Sequence, residues 1–153
     1  MWLYNTTPFQ ADQIEDSYGF VYLIENTVTG RKYIGRKYFT SAGTKQVRGK
    51  KKKIRKQSDW EGYWSSSEEV KKDVQQYGKE KFTRTILHLC KTRASCSYFE
   101  TYEIFTRDAL LSTDYYNSWV SCKIHAAHVK GIIWRENNQL IQQSRSKKSR
   151  INL

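Results

Sequence analysis

The sequence predicts a small mixed α+β domain, and three observations along the chain support this. Two segments rich in β-branched and aromatic residues are joined by a short turn-forming stretch. Two later segments have the composition and spacing of helices, and a third strand-like segment lies between them. The order strand, strand, helix, strand, helix therefore predicts a three-stranded antiparallel sheet flanked by helices.

The 153 residues divide into three regions. Residues 1–16 show no clear period, and we expect them to form an N-terminal extension that either packs on the domain or stays loose. Residues 17–125 form the predicted domain, which carries a basic insertion at residues 40–59. Residues 126–153 form a basic tail with one short helix expected near residues 138–143.

The first two strands are predicted at residues 18–24 and 32–39. The stretch between them offers Asn26 and Gly30, which are residue types that adopt positive φ readily. Two such strands joined by a short loop predict an antiparallel hairpin.

The insertion at residues 40–59 has neither a strong period nor an apolar face. No acidic residue lies between Tyr38 and Gln57, so we expect this segment to be mobile until it meets an anion. Its eight cations, two thirds of the net charge, are Lys45, Arg48, Lys50, Lys51, Lys52, Lys53, Arg55 and Lys56.

The first helix is predicted at residues 68–77. Ser65–Ser67 offer an N-cap, Gly78 offers a C-terminal stop, and Val70 and Val74 lie four residues apart on one face.

The later elements are a strand at residues 81–90 and a second helix, which Ser95 or Ser97 caps and which ends near Leu110 or Leu111. A last short strand is predicted at residues 118–125. The second helix shows a candidate buried stripe formed by Tyr98, Tyr102, Phe105 and Ala109.

The charge balance limits the class of partner. Lys and Arg number 27 and Asp and Glu number 15, which gives a net charge of +12. A basic excess of this size favours polyanions, with nucleic acid first and an anionic membrane second. The sequence has no apolar run long enough for a membrane span and no signal-peptide pattern, so we expect a cytoplasmic protein without membrane association.

The three cysteines, Cys90, Cys96 and Cys122, contain no close pair. Cys122, His125 and His128 are the best zinc-like group, but structural zinc usually takes paired ligands at close spacing. Reduced thiols in a cytoplasmic protein are the favoured interpretation.

Tyr22 and Tyr33 lie on the two strands of the predicted hairpin. A phenol has a pKa near about 10, and nearby cations lower it, which would let the tyrosine accept a proton from an attacking water. The alternative is that both tyrosines are cross-strand packing residues.

The sequence Gly19-Phe-Val-Tyr22, followed after ten residues by Tyr33-Ile-Gly35, resembles the signature of the GIY-YIG nucleases. Glu100 and Asn117 follow in the order of the family's glutamate and asparagine. The resemblance covers residues 18–120 and extends in particular to phage-encoded, free-standing homing endonucleases of the Seg type.

The resemblance implies hydrolysis of a phosphodiester in double-stranded DNA with one Mg²⁺ or Mn²⁺ ion held by Glu100. Tyr22 or Tyr33 would orient or deprotonate the attacking water, and an arginine would neutralise charge on the phosphoryl oxygens. It also implies a monomer or a DNA-dependent dimer, in the host cytoplasm if the protein is phage-encoded. Glu103 is the rival carboxylate, and pairing with Arg107 at i+4 makes it the structural one.

The arginine is not assigned to one residue. The family commonly places it about eight residues after the Tyr-Ile-Gly glycine, and that position is Gly43 here. Arg36, Arg48 and Arg55 remain candidates. We favour Arg36, which lies beside Gly35, and then Arg55, which lies near the start of the first helix.

The predicted DNA contacts lie in the basic insertion, at the start of the first helix and in the loop after the second. The alternative role of Ser66 is a helix cap, and that of Asn117 is the cap of a turn. The predicted DNA-binding residues are Lys45, Arg48, Lys50, Lys51, Lys52, Lys53, Lys56, Ser66 and Asn117.

Two further functions are compatible with the sequence. One is a non-catalytic nucleic-acid-binding protein that keeps the GIY-YIG fold, and the other is a basic RNA-binding or ribosome-associated protein.

Overall fold

The computed structural model describes residues 1–130. The short helix predicted near residues 138–143 lies outside the described residues. Within the described part of the chain the strands are β1 (Leu3–Tyr4), β2 (Thr7–Pro8), β3 (Gly19–Asn26), β4 (Lys32–Tyr38), β5 (Thr40–Val47), β6 (Lys50–Gln57) and β7 (Phe82–Cys90). The α-helices of the same part are α1 (Glu68–Tyr77), α2 (Arg93–Thr106) and α3 (Ala126–Val129).

The main sheet has the strand order β2-β1-β7-β3-β4, and β3 lies at its interior. The predicted hairpin is confirmed as β3 and β4, and the predicted third strand is confirmed as β7, antiparallel to β3. Within residues 1–130 this sheet has five strands rather than three, and β1 pairs with β7 in parallel. The two added strands are two residues long, too short to show a period in the sequence.

The N-terminal residues contribute to the core as well as to the sheet. Trp2 and Phe9 are buried, and the Trp2 indole donates a hydrogen bond of 2.7 Å to the carbonyl of Trp60. These contacts attach the start of the chain to the segment that precedes α1.

The sheet is covered on both faces, and β3 is buried throughout much of its length. Phe20, Tyr22 and Ile24 point into the layer that contains α1, while Val21 points into the layer that contains α2. Side chains alternate across a strand, so a strand with both faces covered shows a continuous apolar run.

Helix α1 matches its prediction. The Ser67 hydroxyl accepts from the backbone N–H of Val70, Gly78 ends the helix with φ 89°, and Val70 and Val74 are buried.

Helix α2 differs from its prediction at both ends and in its buried face. It ends at Thr106, not near Leu110 or Leu111. Thr92, not Ser95 or Ser97, is the N-cap. The predicted stripe is confirmed only in part. Ala109 is buried and Tyr98 and Tyr102 are partly buried, but Phe105 is 57% exposed. The buried residues of the helix include Cys96, Phe99 and Glu103. The carboxylate of Glu103 is buried because it has two basic partners, a pairing that apolar periodicity does not reveal.

The basic insertion forms an antiparallel two-stranded ribbon, β5 and β6, which we call the basic ribbon. The sequence pattern predicted no strand in this segment, and the structure adds two. Arg48 and Gly49 form its turn with φ 48° and 75°, and two successive positive φ values are typical of the tight turns that join hairpin strands. The ribbon begins two residues after the end of β4.

The chain after α2 runs along the outer edge of β4. The backbone of Lys32 accepts from Tyr116 N–H and donates to the carbonyl of Asp114, each at 2.8 Å. The strand predicted at residues 118–125 does not form. None of the helices in residues 1–130 has the length and apolarity that a membrane crossing requires.

Candidate active site

A pocket of about 590 Å³ opens at the outer edge of β4. Strand β3 contributes Tyr22, β4 contributes Tyr33 and Arg36, and α2 contributes Glu100. The start of α1 and the loop after α2 form the remaining walls. These residues are distant in sequence, and the edge strand with its neighbours brings them together.

Gly35 fixes the position of the Tyr22 ring. The two residues are directly opposite each other in the β3–β4 register. A Cβ atom at Gly35 would lie 2.5 Å from the Tyr22 hydroxyl oxygen and 2.9 Å from the Tyr33 ring. The Tyr22 ring therefore approaches the β4 backbone closely at Gly35, and the glycine is required for that packing.

The two tyrosines of the signature differ in exposure. Tyr22 is 1% exposed, whereas Tyr33 is partly exposed on the pocket wall. Their ring centroids are 6.2 Å apart. Tyr33 is therefore the more accessible of the two to a ligand in the pocket.

The prediction that cations lower the pKa of Tyr22 is wrong. Burial raises its pKa well above the ordinary value, and the phenols of Tyr63 and Tyr33 raise it further, while a hydrogen bond with Ser65 offsets part of the effect. Tyr22 is consequently protonated at neutral pH and acts as a hydroxyl donor.

Tyr63 is a third tyrosine of this cluster, and its ring centroid lies 6.2 Å from that of Tyr22. The Lys37 ammonium lies 3.9 Å from the centroid of the Tyr63 ring. Arg84 Nη1 holds this segment by donating to the carbonyls of Tyr63 and Glu61 at 2.8 and 3.1 Å.

Ser65, beside this cluster, has a strained backbone with φ 96° and is 2% exposed. Its hydroxyl accepts from Ser67 N–H at 2.9 Å. Positive φ in a residue other than glycine is often found at functional sites. Nothing in the sequence pattern distinguishes this serine from its two neighbours.

Arg36 and Glu100 form an ion pair across the site. Arg36 Nη1 lies 2.7 Å from Glu100 Oε2, and the two side chains are 27% and 17% exposed. Burial raises the pKa of Glu100, while the charge of Arg36 and a hydrogen bond from its backbone N–H oppose the rise. Burial prevails and the pKa of Glu100 is raised, so ionising this carboxylate costs more free energy than usual.

The residues present fit a hydrated divalent ion. Mg²⁺ keeps several waters and is commonly bound through one or two carboxylates. Glu100 offers one partly exposed carboxylate on the wall of a pocket with room for waters. Across residues 1–130 no three His, Cys, Asp or Glu side chains converge on one metal position, and this includes Cys122, His125 and His128.

Glu103, one turn further along α2, has a different environment. Its Oε1 lies 2.5 Å from His88 Nε2 and its Oε2 lies 2.7 Å from Arg107 Nε. Burial raises the pKa of Glu103, but the bonds from His88 and Arg107 outweigh it, and the pKa falls below the ordinary value. The prediction that Glu103 pairs with Arg107 is confirmed.

Asn117 binds the protein's own backbone. Its side-chain oxygen accepts from Ile34 N–H at 2.9 Å and its amide donates to Ile34 O at 2.8 Å. The residue is buried and continues the pairing along the edge of β4. It therefore positions the loop whose following residues, 118–121, line the pocket.

Ser66 lines the pocket, while the adjacent Ser67 caps α1. Its hydroxyl hydrogen-bonds Tyr63 and moderates the rise that burial causes in the pKa of that tyrosine. Glu68 and Glu69, beyond it, pair with Lys71 and Arg31.

Arg55 does not lie with the tyrosines and Glu100. Its Nε donates to Thr40 Oγ1 at 2.9 Å, and its guanidinium lies 4.6 Å from the centroid of the Tyr18 ring. It lines a second pocket of about 610 Å³ at the base of the basic ribbon. Arg36 lines both pockets, so this arginine connects the two.

The other predicted DNA-binding residues lie on the basic ribbon. Arg48 is at its turn and the remaining ones are on its strands. Those exposed on the ribbon are Lys45, Arg48, Lys50, Lys51, Lys52, Lys53 and Lys56.

The comparisons with known proteins agree with this geometry. A family model described as "Putative endonuclease segE, GIY-YIG domain" matches residues 2–120. The chain is also 31% identical over 100 residues to a protein of Enterobacteria phage T4 described as "Putative endonuclease segE". That similarity covers 65% of this chain and 40% of the phage protein.

The chain thus spans less than half the length of the phage relative that it matches. No solved structure matches it. The family model, however, covers both strands of the tyrosine hairpin, the arginine beside it and the helix that carries Glu100. On that match the chain belongs to the segE-type GIY-YIG family.

Proposed function

We propose that the protein is a metal-dependent DNA endonuclease that hydrolyses phosphodiester bonds, in the manner of a phage homing enzyme. The observation that carries the proposal is the convergence of Tyr22, Tyr33, Arg36 and Glu100 on one pocket. Family membership and the similarity to a phage protein described as an endonuclease support the same conclusion.

Glu100 is the proposed ligand of one Mg²⁺ or Mn²⁺ ion. The bound ion would supply Lewis-acid stabilisation of charge at the scissile phosphate. The raised pKa of Glu100 and its partly exposed carboxylate favour a cation as partner, since a second positive charge stabilises the ionised form.

Arg36 is the proposed catalytic arginine. Its guanidinium is held at the pocket wall by Glu100 and faces the space that a phosphate would occupy. A guanidinium donates to two phosphate oxygens at once, which neutralises charge that develops during hydrolysis.

Tyr33 is the proposed contact to the attacking water, because it is the more accessible tyrosine. Tyr22 is buried and protonated, so its hydroxyl serves as a hydrogen-bond donor. Its ring lies beside that of Tyr33 and supports this wall of the pocket. Asn117 positions the loop on the opposite wall through Ile34.

The proposed substrate is double-stranded DNA in the host cytoplasm, acted on by a monomer or by a dimer that assembles on DNA. The net charge of +12 and the exposed cations of the basic ribbon support a polyanionic partner.

Supercoiled plasmid tests the proposal. Incubation with the protein and Mg²⁺ should convert it to nicked and linear forms, and EDTA should prevent this. Mapping of the ends should show hydrolysis with a 3′ hydroxyl. If the protein binds DNA but cleaves neither duplex DNA nor structured RNA in the presence of Mg²⁺, it is a non-catalytic DNA-binding protein and not a nuclease. Preferential binding to structured RNA would point to the RNA-binding alternative.

A further inference from the structure

The basic ribbon carries cations on both of its faces. Directly opposed residues of an antiparallel pair point to the same face, so the register separates the two sets. One face holds Lys51, Lys53 and Arg55. The other holds Lys45, Lys50, Lys52 and Lys56.

Both faces of the ribbon are open. All seven of these side chains are exposed, and only Gly43 and Ile54 on the middle of the strands, with Thr40 at the base, are partly buried among residues 40–57. A two-stranded ribbon without a covering layer is marginally stable in water. Contact with a partner would therefore stabilise it.

The charges of the ribbon are not compensated internally. Lys45 lies directly opposite Lys52, and like charges in that arrangement destabilise a strand pair. No acidic residue occurs between Tyr38 and Gln57 to offset them. An anion on each side of the ribbon would remove the repulsion.

From these observations we infer that the basic ribbon enters the major groove of duplex DNA, with its two faces turned to the phosphates of the two strands. The inference rests on the proposed function, since it takes duplex DNA as the substrate. A ribbon lying flat on one strand would use the cations of one face and leave the others in solvent.

The dimensions of the grooves favour the major one. A single sheet layer is about 10 Å thick, as the spacing of stacked sheets shows. The major groove of B-DNA is about 12 Å wide and the minor groove about 6 Å, so the ribbon fits the former. Arg48, at the turn, would then be the cation that reaches furthest toward the base edges.

The base of the ribbon leads to the candidate active site. The second pocket lies there, and the cations on its wall are Arg36, Lys37, Lys53, Arg55 and Arg93. Arg36 also lines the pocket that holds Glu100. A duplex held by the ribbon can therefore extend its phosphate backbone past this basic wall to the catalytic arginine.

Two matched variants test the inference. Lys51→Gln/Lys53→Gln removes two charges from one face, and Lys50→Gln/Lys52→Gln removes two from the other, on the same strand. Lys79→Gln/Lys81→Gln removes two exposed charges near the opposite end of the main sheet and is the control. Affinity for a mixed-sequence duplex is measured against salt concentration, in EDTA.

Each ribbon double variant should flatten the log–log salt dependence of binding by roughly 1.8, since each phosphate contact contributes about 0.9. The control should leave the slope unchanged. Loss confined to one face would overturn the two-faced arrangement, because only one face of the ribbon would then contact phosphates. An unchanged slope in both ribbon variants would overturn any role of the ribbon in binding.

Dimethyl sulfate footprinting identifies the groove, because guanine N7 lies in the major groove and adenine N3 in the minor groove. Protection of guanine N7 is the expected result, and protection of adenine N3 alone would overturn it. Two-faced binding without metal-dependent cleavage would contradict the nuclease proposal and keep the ribbon inference. Metal-dependent cleavage that neither ribbon variant weakens would support the nuclease proposal and contradict the ribbon inference.

Discussion

The guanidinium of Arg36 lies 2.7 Å from the carboxylate of Glu100, and this contact joins the edge strand of the sheet to the helix that carries the proposed metal ligand. The two residues are 64 positions apart in the chain. Of the arginines considered from the sequence, Arg36 is thus the one in contact with the glutamate.

Gly35→Ala should reduce cleavage at least about tenfold and destabilise the fold by about 1–3 kcal/mol. The added methyl would collide with the buried Tyr22 ring, which has no room to move. Plasmid cleavage and urea unfolding measure the two effects. Gly62→Ala is the control, since a Cβ there meets nothing within 4 Å. Equal behaviour of the two variants would contradict the packing role of Gly35.

Arg36→Gln and Arg55→Gln remove the same charge from different places. Arg36→Gln should lower the single-turnover rate at saturating DNA by about 10²–10³, the loss typical of a donor to a developing charge. Arg55→Gln should keep that rate and weaken binding, because its guanidinium lies at the base of the ribbon. A larger rate loss for Arg55→Gln would transfer the catalytic role to that residue.

Glu103→Gln should destabilise the fold by about 1–3 kcal/mol at pH 7, because it weakens two contacts of a buried carboxylate. Glu100→Gln should keep or raise stability, since ionising Glu100 is unfavourable in the fold. Urea unfolding at pH 7 compares the two. The opposite order of stabilities would show that the environments have been assigned to the wrong carboxylates.

The two carboxylates also predict opposite effects of pH on stability. The pKa of Glu103 is lowered in the fold, so its contribution is present above its ordinary value of 4.5 and is lost as pH falls through the folded pKa. The pKa of Glu100 is raised, so its ionisation costs stability as pH rises above 4.5. Acid unfolding of Glu103→Gln should therefore be shallower than that of the wild type, and that of Glu100→Gln steeper. Coincident acid transitions in all three proteins would contradict both pKa directions.

Binding of Mg²⁺ should weaken on acidification and begin to do so above pH 4.5, because protonated Glu100 cannot hold the ion. Calorimetric titration with Mg²⁺ at several pH values measures this without DNA. Glu100→Gln should abolish the pH-dependent component. Its persistence in that variant would place the ion on another residue.

The hairpin, α1 and β7 could be predicted because local patterns determine them. β3 and β4 are rich in aromatic and β-branched residues, and α1 has a serine cap and a terminal glycine. The register follows from the short loop between the strands, and it places Gly35 opposite Tyr22. Short-range sequence information was sufficient for these elements.

The parts that could not be predicted depend on distant partners. β1 and β2 are formed by four residues whose pairing requires the edge of β7. The buried face of α2 was missed because Glu103 is buried by His88 and Arg107, not by apolar spacing. The ribbon was missed because lysines dominate its strands, and its turn at Arg48 and Gly49 was the available local signal.

The most direct test of the proposed function compares Glu100→Gln with Glu103→Gln in the cleavage of supercoiled plasmid. The assay contains Mg²⁺ and is run at a temperature at which both variants are folded. The two changes remove the same charge from the same helix, one turn apart. Glu103→Gln should nick the plasmid at nearly the wild-type rate, and Glu100→Gln should lose the activity while still binding DNA. Nicking by Glu100→Gln at the wild-type rate would contradict the assignment of Glu100 as the metal ligand of a DNA endonuclease.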